Sequence, residues 1–300
     1  MRMRILAAGV ATLALALTAC GESETDLGSG GGGTTSTDAY EVVANPGFPA
    51  GSTMEKLNKA GKIKIGVKYD QPGIGNKNPS TGKPEGFDIE IGKIVAGQLG
   101  LKPDQIEFVE TVSKNREPFI ENGTVDIVVA SYSITDKRKQ VISFAGPYYI
   151  TGQDLLIRKE DASTITGPEA LTGKTVCSVT GSTPLAKLES EYKQAKTQAY
   201  ATYTECVDKL ETKGVDAVST DGAILLGYAA NNPDQLQVVG KPFSTEKYGI
   251  GLKKDDSDFR AFLNTSLEKA FSNGAWKKAY DASLGKSGSA APAPPALEKY

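Results

Sequence analysis

The sequence predicts an α/β protein of two lobes, with the second lobe inserted into the first. Short β-branched runs alternate with amphipathic helical stretches over most of the chain, which argues a mostly parallel sheet. The alternation comes as two sets, separated after Pro147-Tyr148-Tyr149. A strand-like Tyr248-Gly249-Ile250-Gly251-Leu252 and two closing helices follow the second set, so lobe 1 takes residues 51–150 and 247–285 and lobe 2 takes residues 151–246.

In chain order, a short helix through Leu57 is stopped by Gly61 and leads into a strand at 63–67. Residues 69–84 are turn chemistry throughout, with Gln71-Pro72-Gly73, Asn78-Pro79 and Gly82. Gly86-Phe87-Asp88-Ile89-Glu90-Ile91 opens a helix whose Phe87, Ile91, Ile94, Val95 and Leu99 share one face, and Gly100 and Pro103 end it. Ordered segments follow at 106–109, 117–121 and 126–129, then a helix around Arg138 and a strand at 141–144. The second set runs from Asp154-Leu155-Leu156-Ile157 through strands at 174–179, 199–203, 215–220 and 236–239, with helices at 184–195, 206–213 and 224–230 between them. Helices at 257–271 and 275–284 close the folded body.

Composition narrows the function classes. An apolar content of 39% with 23% charge is ordinary for a globular protein, and a net charge of −2 gives no case for nucleic acid. The chain has no histidine, which removes His-based triads and His metal sites; no metal and no cofactor is expected. Beyond Arg2 and Arg4 the only arginines are Arg116, Arg138, Arg158 and Arg260, against 28 lysines. Arginine placed against that bias points to a need for its planar fork of donors.

The N-terminus is a targeting segment. Arg2 and Arg4 precede an apolar run at 5–17, too short to span a membrane, that ends in Leu17-Thr18-Ala19-Cys20. Residues 1–19 look like a bacterial lipoprotein signal, whose cleavage would leave Cys20 lipidated on the outer face of the cell membrane; an ordinary cleaved signal is the alternative. Residues 20–50 then form a flexible tether, Gly-rich at its centre and reaching on the order of 25 Å over some twenty residues. The tail at 286–300 is Ser/Ala/Pro-rich and is expected to be disordered. Export favours a disulfide between Cys177 and Cys206 over two buried thiols, worth about 3 to 4 kcal/mol in the chain-entropy model.

The stretch Ala130-Ser131-Tyr132-Ser133-Ile134-Thr135-Asp136-Lys137-Arg138 follows the buried-strand run Asp126-Ile127-Val128-Val129. It therefore lies where a strand ends and a helix begins, the place at which α/β folds bind ligands. A guanidinium flanked by hydroxyls can grip a carboxylate bidentately, while the plainer reading is a solvated loop capping a helix at Thr135.

Gly86-Phe87-Asp88-Ile89-Glu90-Ile91 with Val95-Ala96 resembles the signature of bacterial extracytoplasmic solute-binding proteins for polar amino acids, the capturing subunits of ABC importers. The resemblance spans roughly residues 52–284. It includes the lipoprotein signal, the Ser131 to Arg138 stretch, Tyr148-Tyr149 and Tyr248-Gly249-Ile250-Gly251-Leu252. Glutamate-binding lipoproteins of Gram-positive importers are the nearest likeness, through Lys68-Tyr69-Asp70-Gln71-Pro72-Gly73, Cys177-Ser178-Val179-Thr180-Gly181-Ser182-Thr183-Pro184 and Cys206-Val207.

That resemblance implies a Venus flytrap fold, with hinges near residues 149–153 and 245–249. It also implies a ligand set. Arg138 would hold the α-carboxylate with Ser133 and, from the other lobe, Ser182 and Thr183; Thr183 reads as a helix N-cap with Pro184 first in the helix. Asp221, at a strand end, would take the α-ammonium with Ser131 as a further acceptor, the alternative being a cap on the helix that starts at Gly222. Arg116 and Ser113 would reach an acidic side chain, and so would Lys68, in line with the high cost of burying a carboxylate unpaired. Two positions depart from the pattern: Ala130 stands where some relatives carry Ser, and Lys68 where some acidic binders carry Arg.

The implied function is capture of L-glutamate, with aspartate, glutamine and asparagine as further candidates. The protein would be a monomer that delivers its ligand to a membrane permease and its ATPase subunits, without chemistry. Two alternatives stand beside it. One is a prephenate or arogenate dehydratase on the same scaffold, which the lack of histidine disfavours. The other is a sensor presenting its ligand to a receptor.

Overall fold

The computed structural model describes residues 40–299, so the signal at 1–19, Cys20 and the Gly-rich centre of the tether lie outside the described residues. Lobe 1 opens with α1 (Thr53–Ala60), capped by the Ser52 hydroxyl and closed by Gly61. Next come β1 (Ile63–Val67), β2 (Asp70–Gln71), β3 (Gly75–Lys77) and β4 (Pro84–Glu85). They are followed by α2 (Phe87–Gln98), β5 (Ile106–Glu110), α3 (Arg116–Glu121), β6 (Ile127–Val128), α4 (Asp136–Lys139) and β7 (Ser143–Thr151). Lobe 2 holds β8 (Gln153–Arg158), β9 (Thr175–Val179), α5 (Thr183–Glu191), β10 (Lys196–Tyr200), α6 (Tyr203–Glu211), β11 (Ala217–Asp221), α7 (Gly222–Asn231) and β12 (Leu236–Val238). The chain returns to lobe 1 through β13 (Glu246–Leu252) and ends its helices with α8 (Ser257–Ser272) and α9 (Ala275–Asp281).

Each lobe is built on a five-stranded sheet, β5-β1-β6-β13-β7 in lobe 1 and β10-β9-β11-β8-β12 in lobe 2. The expectation of mostly parallel sheets is met with one reversed strand in each, β13 in lobe 1 and β8 in lobe 2. The β5, β1 and β6 strands are parallel, as are β10, β9 and β11, but β13 and β7 in one lobe and β8 and β12 in the other pair antiparallel. The reason is the double crossing: a chain that leaves lobe 1 along β7 and comes back along β13 must run antiparallel to itself. Residues 69–84, read as turns, also carry a small antiparallel sheet, β2-β3-β4.

The crossings are tight. Gln153 N–H donates to Ser244 Oγ at 3.0 Å and Phe243 N–H to the Gln153 carbonyl at 2.8 Å. A Cβ on Gly152 would lie 2.5 Å from the Ser244 carbonyl oxygen, so only glycine lets the two crossing segments approach this closely. Helix α2 is buried along most of its length because it packs against β1 on one side and α8 and α9 on the other. Its Phe87 ring meets Tyr148, Tyr149, Trp276 and Tyr280 at centroid distances of 5.6–6.0 Å, tying the helix to the crossing strand β7.

Two boundaries move. Residues 40–50 belong to the folded body: Tyr40 and Phe48 pack against the core, the Phe48 ring meets Phe262 edge-on at 5.6 Å, and Val43 N–H donates to the Gly97 carbonyl at 2.9 Å. The tail after residue 287 is an ordered strap on lobe 1 through residue 299. Ala291 and Leu297 pack against the core, Glu298 N–H donates to the Gly146 carbonyl at 2.7 Å, and the Glu298 carboxylate pairs with Lys247 at 2.7 Å and Lys139 at 3.5 Å. Its Ser/Ala/Pro composition reads as disorder, but a few well-spaced apolar and charged side chains suffice to anchor it.

Cys177 in β9 and Cys206 in α6 are joined by a disulfide at a sequence separation of 29. Closing that loop removes denatured-state entropy, so replacing both cysteines by serine should lower unfolding free energy by about 3 to 4 kcal/mol. Urea denaturation of oxidised wild type against the double variant reads the difference directly.

Candidate functional site

The site lies where β1, β6 and the α4 loop of lobe 1 face the β9–α5 loop and the end of β11 in lobe 2. At the lobe 1 side, Ser131 adopts a left-handed backbone with φ 42°, uncommon for a residue other than glycine. Asp88 at the start of α2 holds it there, its Oδ2 accepting the Ser131 N–H at 2.7 Å while Oδ1 accepts the Tyr148 hydroxyl at 2.6 Å. The peptides that follow are paired with β13: Ile134 N–H donates to the Lys247 carbonyl at 2.8 Å and Gly249 N–H to the Tyr132 carbonyl at 2.9 Å. The hydroxyl stretch is therefore locked to a crossing strand. Thr135 does cap α4, its hydroxyl accepting the Arg138 N–H at 3.2 Å, as the plain reading expects, but Ser131, Tyr132 and Ser133 are buried and not solvated.

Arg116 and Arg138 both stand against the Tyr132 ring, at 4.3 and 5.0 Å from its centroid. From there both reach across the cleft. The Nη2 groups of Arg116 and Arg138 donate to the Gly181 carbonyl of lobe 2 at 3.2 and 3.1 Å. Gly181 has φ +82°, and a Cβ on it would lie 2.7 Å from the Cα of Lys114, so the loop can press this close only as glycine. Arg116 is otherwise occupied by backbone, donating to the carbonyls of Ser113, Ala130 and Ser131 at 3.1–3.2 Å. Arg138 donates to the Ser133 carbonyl at 2.7 Å and pairs with Glu117 at 3.1 Å. With five N–H donors each, Arg138 keeps more capacity for a ligand than Arg116.

Lys68, 3% exposed, donates to Ser113 Oγ at 2.8 Å. Burial and the neighbouring Arg116 push its ammonium down to about 7. Arg116 itself is pushed down to about 10 by burial and Arg138. The cleft thus holds cationic groups whose field is under-compensated on the lobe 1 side.

The opposite pole is acidic. Asp221 is 3% exposed; its Oδ2 accepts the Tyr248 hydroxyl at 2.6 Å, and its Oδ1 has no hydrogen-bond partner among the described residues. It makes no side-chain cap on α7, so its carboxylate is not used up by the helix it precedes. Burial and the nearby Glu246 raise it to about 7. Glu246 itself accepts from Thr183 Oγ1 and Ser244 Oγ, both at 2.9 Å.

Of the nine expected ligand residues, Lys68, Ser113, Arg116 and Ser131 form one contact chain, and Arg138, Ser133 and Thr183 a second. Asp221 joins them through Tyr248, whose backbone bridges to Ser133. The N-cap assignment is corrected: Ser182 caps α5, accepting the Leu185 N–H at 3.1 Å, with Thr183 first and Pro184 second in the helix. The proline ring tolerates either early position, so the sequence did not separate the two. Thr183 Oγ1 is thereby released toward Ser133 Oγ at 3.3 Å, while Ser182 is engaged in capping. Sequence reasoning missed Asp88, Glu117, Tyr132 and Glu246 as site-shaping residues. Asp88 and Tyr132 sit inside the motifs already singled out, whereas nothing local marks Glu117 or Glu246.

The two lobes meet at a buried cationic cluster and a buried acidic one, an arrangement that suits a small zwitterion. The chain belongs to the bacterial extracellular solute-binding proteins, family 3, whose sequence profile matches residues 63–286. It is similar to a glutamate-binding protein of Corynebacterium efficiens, 38% identical over 235 residues covering 75% of this chain and 80% of that protein. A glutamine-binding ABC transporter protein of Bacillus subtilis is also 38% identical, over 229 residues, 76% of this chain and 83% of that protein. Among solved structures, the L-cysteine receptor of Neisseria gonorrhoeae superposes with TM-score 0.74 at 29% identity, covering 79% of this chain and 95% of that one. An ancestral arginine-binding protein bound to glutamine gives TM-score 0.70 at 32% identity, covering 75% and 98%.

The two poles titrate in opposite senses. Asp221, raised to about 7, must lose its proton to receive an ammonium, so that contact is gained as pH rises through about 7. Lys68, lowered to about 7, must keep its proton to receive a carboxylate, so that contact is lost over the same range. Affinity for an amino acid with a carboxylate side chain should peak near neutral pH, while affinity for its amide should rise and level off. Calorimetric titrations from about pH 5 to about pH 9 check both curves.

Proposed function

We propose that the protein captures L-glutamate between its lobes and delivers it to the membrane permease of an ABC importer, with aspartate, glutamine and asparagine as weaker ligands. The observation that carries this reading is Lys68, a buried ammonium whose one hydrogen-bond acceptor among the described residues is the neutral Ser113 hydroxyl. A buried cation left under-compensated is costly, and a ligand carboxylate beside it removes that cost. An amide does so only in part. At the other pole, Asp221 Oδ1, without a hydrogen-bond partner among the described residues, is matched by an α-ammonium, with Ser131 Oγ, whose proton goes to Gln71, as a further acceptor. In this reading Arg138, with the Ser133 and Thr183 hydroxyls, takes the α-carboxylate. The name of the Corynebacterium relative supports the same ligand.

Arg116 contributes positive field and holds the loop carbonyls, so selectivity for the acid rests chiefly on Lys68. The lipid anchor on Cys20 would keep the protein at the outer face of the cell membrane, close to its permease.

A thermal-shift panel of the twenty amino acids, followed by calorimetry on the hits, tests this reading. Glutamate should bind best. Lys68→Met should weaken glutamate by about 3 kcal/mol and glutamine far less, since only the acid loses its charge partner. Arg138→Ala should abolish binding of every amino acid, and retained glutamate affinity in that variant would contradict the assignment.

A further inference from the structure

Gln71, the last residue of β2, is fully buried, with a relative exposure of 0%. Its Oε1 accepts the Ser131 hydroxyl at 2.9 Å, and its Nε2 has no hydrogen-bond partner among the described residues. A primary amide carries two N–H donors, and leaving them unpaired in the interior costs about as much as a lost hydrogen bond or more. Such a group persists where a ligand supplies the acceptor.

Its position says which part of the ligand that is. Gln71 lies three residues after Lys68, and its cross-strand partner Gly75 is so close to Lys68 that a Cβ there would meet the Lys68 carbonyl at 2.9 Å and the Lys68 Cβ at 3.1 Å. The hairpin that carries Gln71 thus packs against the backbone and Cβ of Lys68. Its other end acts on Ser131. By taking the hydroxyl proton of Ser131 as a hydrogen bond, Oε1 turns the Ser131 oxygen into an acceptor for whatever stands in the cleft.

We infer that Gln71 is a specificity-determining contact, its Nε2 donating to a side-chain oxygen of the bound amino acid, carboxylate or amide carbonyl, while its Oε1 sets Ser131 as an acceptor for the ligand's ammonium. This rests on the reading of the cleft as an amino-acid site. It does not depend on glutamate being the preferred ligand.

The test uses the whole protein with Gln71→Glu and Gln71→Leu, titrated calorimetrically with L-glutamate and L-glutamine, and thermal unfolding of each ligand-free protein beside it. Gln71→Glu keeps an acceptor for Ser131 and replaces the donor with oxygen. It should lower glutamate affinity by roughly 100-fold or more and glutamine affinity by less, because carboxylate then faces carboxylate. Gln71→Leu should weaken both ligands roughly 10- to 100-fold, since it removes both the Nε2 donor and the Oε1 acceptor that orients Ser131.

Wild-type affinity in Gln71→Glu overturns the inference, as does an equal loss for both ligands. Undiminished affinity for both ligands in a folded Gln71→Leu protein overturns it too, and makes Gln71 a structural residue. If wild type binds no amino acid, the reading of the cleft fails first and the inference falls with it; if wild type binds and the variants match it, Gln71 alone is wrong.

Discussion

Two guanidiniums from one lobe converge on a single backbone carbonyl of the other, and the closed cleft depends on that convergence. Arg116 and Arg138 share the face of Tyr132 and the oxygen of Gly181. Bringing two like charges together out of water is unfavourable, which is why Arg116 is driven down to about 10. The arrangement holds because carbonyl dipoles from 113, 130, 131, 133 and 181 surround the pair, and Glu117 neutralises part of it. Each dipole comes from a loop at a strand end. The sheets therefore matter chiefly as frames that deliver those loops to one point.

Closure also separates charge. Lobe 1 supplies Lys68, Arg116 and Arg138, while the end of β11 and the start of β13 supply Asp221 and Glu246. Such a field suits a ligand whose own charges run the same way, since the ions that are costly to bury alone are the ones a zwitterion would neutralise. Lysine rather than arginine at 68 fits this scheme, because a compact ammonium changes its pKa readily with burial, whereas a guanidinium stays charged.

Much of this was legible from the residues. The strand and helix alternation marked two lobes, the Ser131 to Arg138 stretch marked a strand-end loop, and export chemistry marked Cys177 with Cys206, a disulfide in the structure. What was hidden is long-range. Strand direction in β7, β8 and β13 follows from the double crossing, which no local pattern encodes. Glu117 and Glu246 look like surface carboxylates until Arg138 and Thr183 are placed beside them. The Ser182–Thr183 cap differed by one residue because serine and threonine cap about equally well. The strap at 288–299 and the segment 40–50 were hidden by polar, Pro-containing composition, although Leu297, Phe48 and Tyr40 were there to bury.

The central claim is an orientation: side-chain carboxylate toward Lys68, α-ammonium toward Asp221, α-carboxylate toward Arg138. A crystal structure of the protein grown with L-glutamate measures it. The account predicts one glutamate between the lobes, with a δ-carboxylate oxygen within hydrogen-bond distance of Lys68 Nζ and the ammonium within hydrogen-bond distance of Asp221 Oδ1. A glutamate bound in the reverse sense, or density outside the cleft with Lys68 and Asp221 untouched, would contradict it.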